Sequence, residues 1–279
     1  MLHILKDLKG LHVAAVDQEC GEVEDVLFDD LGMVVRYFVV KTGSWLNHRS
    51  VLIAPQAIKG AHPERGVLLS NLTRQEIEAS PPLEEARPVV RAYEESLAEH
   101  YAWNPYWASA VDPAFGPFGM MMPGSFYAGQ GLPLAHREAA PTLLASDPHL
   151  QSARQFAGYT LRAQDGEVGH VKDLMVDAAD WQIKYLVVAT GHWFTRRPVV
   201  VDCVFIHAIH WVDRDIELSL RRLDIERAPA YDPEQYGAAF ASNLTVYYRG
   251  LLERWRENLG LHSTHHAPPS QVDRSEDHR

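Results

Sequence analysis

Apolar positions along the chain fall into short runs of alternating or continuous character, interrupted roughly every 8–12 residues by Asp/Gly-type turn signals. Leu11–Val16 runs into Asp17-Gln18-Glu19-Cys20-Gly21, Glu22–Phe28 follows, and Asp29-Asp30-Leu31-Gly32 breaks the pattern again. Glycine tolerates positive φ and aspartate bonds its own backbone, so such clusters between apolar runs mark tight turns. Val34–Lys41 is rich in β-branched and aromatic residues, as strands are. Thr42-Gly43 ends it, Ser50–Ile53 resumes, and Gly66–Leu72 places Leu68, Ser70 and Leu72 on one face. The same series recurs at Leu161, Val171–Val176, Gln182–Ala189, Val199–Val201 and Asp215–Leu220. Five or six short strands per series predict a small barrel or sandwich.

The recurrence is a true repeat. Displacing the chain on itself by 148 residues pairs Gly10–Pro81 with Gly158–Pro229 without a gap, and about 23 of the roughly 72 pairs are identical. Gly21/Gly169, Asp25/Asp173, Asp29/Asp177, Tyr37/Tyr185, Trp45/Trp193 and Arg49/Arg197 are among them. A unit of some 70 residues hides only about 60% of its unfolded surface, so each copy needs something to pack against. Helical periodicity supplies candidates at Leu83–His100 and Tyr236–Trp255, the second opened by Asp232-Pro233-Glu234, an N-cap with proline in the first turn. The organisation read from this is a first barrel at 1–82, a helix and an aromatic Pro/Gly/Met-rich linker at 83–149, a second barrel at 150–230, a helix at 231–260 and a disordered tail at 261–279.

The repeated motifs resemble the PRC-barrel family. They read Gly21-Glu22-Val23-Glu24-Asp25, Tyr37-Phe38-Val39-Val40 and Thr42-Gly43-Ser44-Trp45, then Gly169-His170-Val171-Lys172-Asp173, Tyr185-Leu186-Val187-Val188 and Thr190-Gly191-His192-Trp193. The resemblance implies a mainly β chain with flanking helices: two tandem small antiparallel β-barrels, each followed by a helix. It also implies docking, since the barrels of the photosynthetic reaction-centre H subunit and of a ribosome-maturation factor both act as docking modules.

Composition narrows the function. Of 279 residues, 46% are apolar and 23% charged, which suits a folded chain. A net charge of −11 opposes direct binding to nucleic-acid phosphate. Two cysteines supply neither a disulfide framework nor a cysteine-rich zinc site. No signal peptide and no apolar run of about 20 residues is visible, so a cytoplasmic protein without membrane insertion is expected.

Asp25 and Asp29, with Asp173 and Asp177, sit too far apart along a strand to chelate one ion, and turn or surface roles are expected for them. Asp202, Cys203, His207 and His210 invite a metal or Cys-His enzyme reading, but only the last recurs in the first copy, as His62. No catalytic residue, metal or cofactor is therefore assigned. The candidate partner-binding residues are Trp45, Arg49, Trp193 and Arg197, as Trp–Arg pairs on a barrel rim, and Trp103 and Trp107 of the linker; recurrence of the pairs in both copies fits better a tryptophan lid that closes each barrel mouth against its own helix. The expected function is a non-catalytic protein-binding or assembly module. Its partner would be another protein, such as a membrane-associated electron-transfer complex, or a second copy in a homodimer. Association with ribosomes or RNA processing, and a small metal-dependent enzyme at Cys203/His207/His210, are the alternatives.

Overall fold

The computed structural model describes residues 1–43, 49–81, 83, 89–107, 149–191, 197–232 and 238–258. Most of the expected linker and the whole of the expected tail at 261–279 lie outside the described residues. Among the described residues, fourteen strands form two seven-stranded sheets. In the first repeat these are β1 (Leu2–Ile4), β2 (His12–Ala14), β3 (Glu19–Asp29), β4 (Val35–Thr42), β5 (Ser50–Ile53), β6 (Ile58–His62) and β7 (Val67–Ser70). The second repeat gives β8 (Leu150–Ser152), β9 (Thr160–Ala163), β10 (Gly166–Asp177), β11 (Ile183–Thr190), β12 (Val199–Asp202), β13 (Ile206–His210) and β14 (Asp215–Leu218). Helices are α1 (Leu5–Leu8), α2 (Arg74–Glu78), α3 (Arg91–His100), α4 (Ala153–Phe156), α5 (Arg222–Glu226) and α6 (Ala238–Asn258). Periodicity predicts a helix over Leu83–His100; the observed one begins at Arg91, and residues 84–88 lie outside the described set.

Each repeat builds the same curled ladder, in the order β5-β4-β3-β2-β7-β6 and β12-β11-β10-β9-β14-β13. Pairing is antiparallel except at β2–β7 and β9–β14, so each of the expected antiparallel barrels contains one parallel pair. That pair arises because β7 and β14 return beside the first strand of the ladder after a long excursion. The end strands β5 and β6 are joined by a short 3-10 turn at Pro55–Ala57, as are β12 and β13 at Cys203–Phe205. Gly21 and Gly169 sit where β3 and β10 run close against the backbone of the neighbouring strand. A Cβ there would collide with the backbone carbonyl oxygen of Lys41 or of Ala189.

The seventh strand of each sheet comes from the other repeat. β1 pairs antiparallel with β10, as Leu2↔Asp177, His3↔Val176 and Ile4↔Met175. β8 pairs with β3, as Leu150↔Asp29, Gln151↔Phe28 and Ser152↔Leu27. The opening strand and short helix of each repeat thus form an arm that completes its sibling. Residues 1–8 and 150–156 therefore belong in sequence to one barrel and in space to the other. Their apolar side chains, Ile4, Leu5 and Leu8 in one arm and Ala153 and Phe156 in the other, are buried in one cluster that runs through both repeats.

Asp25 and Asp173 hold the arms. Both stand at β-bulges, where the register shifts between Val23 and Asp25 and between Val171 and Asp173. The bulge turns the carboxylate out of the ladder. Asp25 accepts the Val26 amide at 2.8 Å on its own strand, and from the other repeat the Ser152 hydroxyl at 2.5 Å and the Arg154 amide at 3.3 Å. Asp173 accepts Leu174 N at 2.8 Å and Lys6 N at 3.2 Å. Each caps the first turn of the incoming helix, where amides lack helical partners. Turn or surface roles, expected for these two, are corrected: they are bulge residues at the exchange. Asp29 and Asp177 do sit at turns, accepting from Gly32 N and, at 3.1 Å, from Ala179 N.

Those turns also meet across the repeats. Met33 and Trp181 occupy the left-handed region at φ 55° and 56°. The Trp181 carbonyl accepts Val35 N at 2.9 Å and the Met33 carbonyl accepts Ile183 N at 2.8 Å. A left-handed conformation is unfavourable for side chains of this size, so the two reciprocal bonds hold the strained residues in place. Trp181 packs edge-on against Phe38 of the first repeat at 5.1 Å, and Phe28 meets Phe156 the same way at 5.4 Å.

Candidate binding site at the junction of the repeats

A cleft of about 170 Å³ opens where α3, the strap at 101–107, strand β4 and the Trp181 turn converge. Arg36, Tyr37, Trp103, Tyr106, Trp107 and Trp181 line it, so both repeats contribute. Trp103 stacks on Tyr101 with ring centres 4.2 Å apart. Tyr106 lies between two guanidinium groups, Arg36 at 3.8 Å and Arg91 at 5.3 Å from its ring centre, and Arg91 also stands 4.0 Å from the Trp107 ring centre. Such cation–π contacts fix flat rings in a strap that has no regular structure.

Beneath the aromatic wall lies a buried polar network. Glu94, fully buried on α3, has Arg91 Nη1 at 3.1 Å and His149 Nε2 at 2.9 Å from Oε2, while the Tyr106 hydroxyl donates to Oε1 at 2.9 Å. Tyr106 Oη is also 2.6 Å from His149 Nε2, and the Tyr37 phenol bonds the same carboxylate. A proton on His149 Nε2 lets the ring donate while Tyr106 donates onward to Glu94. Burial, followed by the Glu94 charge, pushes the Tyr37 and Tyr106 phenols far above their ordinary range, so both remain donors. Arg36 leans on Asp29 at 2.8 Å. A carboxylate this deep is tolerable only because it is paired and bonded on several sides.

His149 precedes arm strand β8 and its carbonyl accepts Asp30 N at 3.1 Å, so the network ties α3 and the strap to the exchange. Among sequence candidates, Trp103 and Trp107 lie in the cleft wall. Arg49 is elsewhere: its Nη2 donates to the Glu78 carbonyl at 2.6 Å and the Ser80 carbonyl at 2.9 Å, closing the end of α2. That is a staple within one repeat rather than a free rim cation. Arg197 is exposed. Trp45 and Trp193 fall outside the described residues.

Sequence reasoning passed over Arg36, Arg91, Glu94, Tyr106, His149 and Trp181. The Arg91/Glu94 spacing of one helical turn and the aromatic run Trp103-Asn104-Pro105-Tyr106-Trp107 were the available signals. Nothing local pointed to His149 or Trp181.

The alternative metal or thiol site does not assemble. Asp202 caps the turn after β12 through Val204 N at 2.9 Å, His207 is exposed, and His210 faces Glu217 at 3.3 Å. Burial raises the Cys203 thiol well above its usual range, the reverse of an activated nucleophile. Among the described residues no three His, Cys, Asp or Glu side chains are grouped to hold a metal ion.

A family comparison matches both copies of this ladder. The PRC-barrel domain profile fits residues 3–68 and 151–220. Both repeats are PRC-barrel domains. No curated protein matches the chain. The two matched segments begin inside the arms, so each PRC-barrel here is completed by a strand of its sibling. No helix among the described residues is long and apolar enough to cross a membrane.

Proposed function

We propose that this tandem PRC-barrel chain is a non-catalytic binding and assembly module, and that a protein partner seats an apolar or aromatic side chain in the junction cleft. The observation that carries the reading is the cleft wall itself. Trp103, Tyr106, Trp107 and Trp181 are half-buried side chains held by stacking and guanidinium contacts, where a core would bury them wholly. Rigid aromatic groups of this kind supply contact area at small entropic cost, which is why they dominate binding hot spots. The family supports the reading through its use as a docking barrel. The net charge of −11 favours a protein over a nucleic acid as the direct partner.

Site-specific photo-crosslinking tests it in cells. A photoreactive residue at Asn104, exposed beside the cleft, should capture a discrete protein, and the same group at Val246, exposed on α6 and away from the cleft, should not. Adding Trp107→Ala should abolish the Asn104 product. Equal crosslinking at both sites, or capture that survives Trp107→Ala, would overturn the assignment.

A further inference from the structure

The exchanged arms point to how this chain meets a second copy of itself. Three devices joining the repeats are reciprocal: β1 on β10 against β8 on β3, Asp173 under α1 against Asp25 under α4, and the Met33 and Trp181 carbonyls each bonding the opposite strand. A pair built in this way is an intertwined dimer whose two members happen to share one chain. What links them covalently is the stretch 108–148, and described residues on either side of it meet at the junction, where Tyr106 Oη is 2.6 Å from His149 Nε2. None of the reciprocal contacts requires that the two repeats come from the same molecule.

We propose that two copies of the chain associate by trading halves. Residues 1–107 of one copy close on residues 149–258 of the other, and the converse pair forms alongside. The exchanged dimer keeps every bond described across the repeats, and 108–148 joins one particle to the other. That stretch has 41 residues, long enough at roughly 3.3 Å per residue to bridge neighbouring particles. Tethering gives each half a high effective concentration of its own sibling, so the single-chain form prevails in dilute solution and exchange grows with chain concentration during folding.

The test uses the full chain with a protease site placed between residues 108 and 148. Refolding at increasing concentration, followed by size exclusion with light scattering, should yield a double-mass species beside the 31.4 kDa single-chain form. Cutting the isolated double-mass species should halve its mass without unfolding, because only the linkers join the two particles, and each product should contain both fragments. The cut single-chain form should likewise keep its full mass until denaturant is added. A double-mass species that survives cutting is an ordinary face-to-face dimer and overturns the proposal. So does the absence of that species at every refolding concentration.

Discussion

The two repeats share a ladder but are covered differently. In the first, α3 packs Leu97 on Val39, Leu52 and Ala54, and beside that patch α3 and the strap build an ion network with Glu94 at its centre and Tyr37, Arg91, Tyr106 and His149 around it. In the second, α6 covers β11 and β12 with Leu244, Tyr248 and Leu251, and Tyr248 packs against Tyr185 and Phe205 while its hydroxyl donates to the Val200 carbonyl. The pairs Tyr37/Tyr185 and Leu52/Val200 occupy the same places in both ladders, so the strands do not dictate the cover. Apolar covers gain stability from area, while ionic ones cost desolvation and return a single geometry. The ionic cover sits where the strap, the arm and the cleft must be fixed together. The apolar cover sits where only a helix needs to stay down.

Removing the centre of the ionic cover should show this most strongly. Glu94→Ala strands the Arg91 charge and leaves the His149 and Tyr106 donors without their acceptor in a buried site, a lesion of about 3–5 kcal/mol. Denaturant unfolding should report that loss, and tryptophan fluorescence from Trp103 and Trp107 should change with it. A loss below about 1 kcal/mol would mean that the network is wet and that the contrast between the covers is mistaken.

The arms sharpen the comparison at equivalent positions. Asp25→Ala removes the acceptor of Ser152 Oγ, Arg154 N and Val26 N, and should cost about 1–2 kcal/mol, as lost helix caps do. Asp173→Ala removes the acceptor of Lys6 N and Leu174 N, but burial pushes that carboxyl up to about 6, so the ionised group is held at some cost at neutral pH. The second substitution should therefore be the milder at pH 7.5, by denaturant midpoint with unchanged slope. Equal or reversed losses would remove the asymmetry.

Most of the ladder was legible because period-2 patterning and turn chemistry are local. β5 matches its expected bounds, and β3, β4, β10 and β11 differ from theirs by a few residues at the ends. The arms were not legible. β1 and β8 are very short and lie next to their own barrels in sequence, and no local signal says that either will pair with the opposite repeat. β6 and β13 were missed because Gly60 and the bulges at Ile58/Gly60 and Ile206/Ala208 blur the alternation. Of the site, the tryptophans announced themselves through composition. Glu94 and His149 did not, since a polar residue read from sequence defaults to the surface and only the fold brings these two together.

The last contrast lies at one position, Ala54 in the first repeat and Asp202 in the second. Ala54 is buried under α3. Asp202 lies near Tyr248 and Lys184, and burial pushes its carboxyl up to about 7, against a partial opposing pull from the Val204 amide and Lys184. The folded state therefore binds this proton more tightly than the unfolded chain, whose aspartate titrates near about 3.9. Stability from this group is greatest at low pH, falls as pH rises from about 4 to about 7, and is flat above. Asn in its place keeps an oxygen to cap Val204 N and loses the titration. Asp202 retains part of its surface in water, which reduces the effect to about 1 kcal/mol, or roughly 2–4 °C in Tm. The Tm of Asp202→Asn should thus gain on the parent between pH 4 and pH 7 and then run parallel to it. Curves parallel throughout would place Asp202 in water and leave the second cover as apolar in its chemistry as it is in its packing.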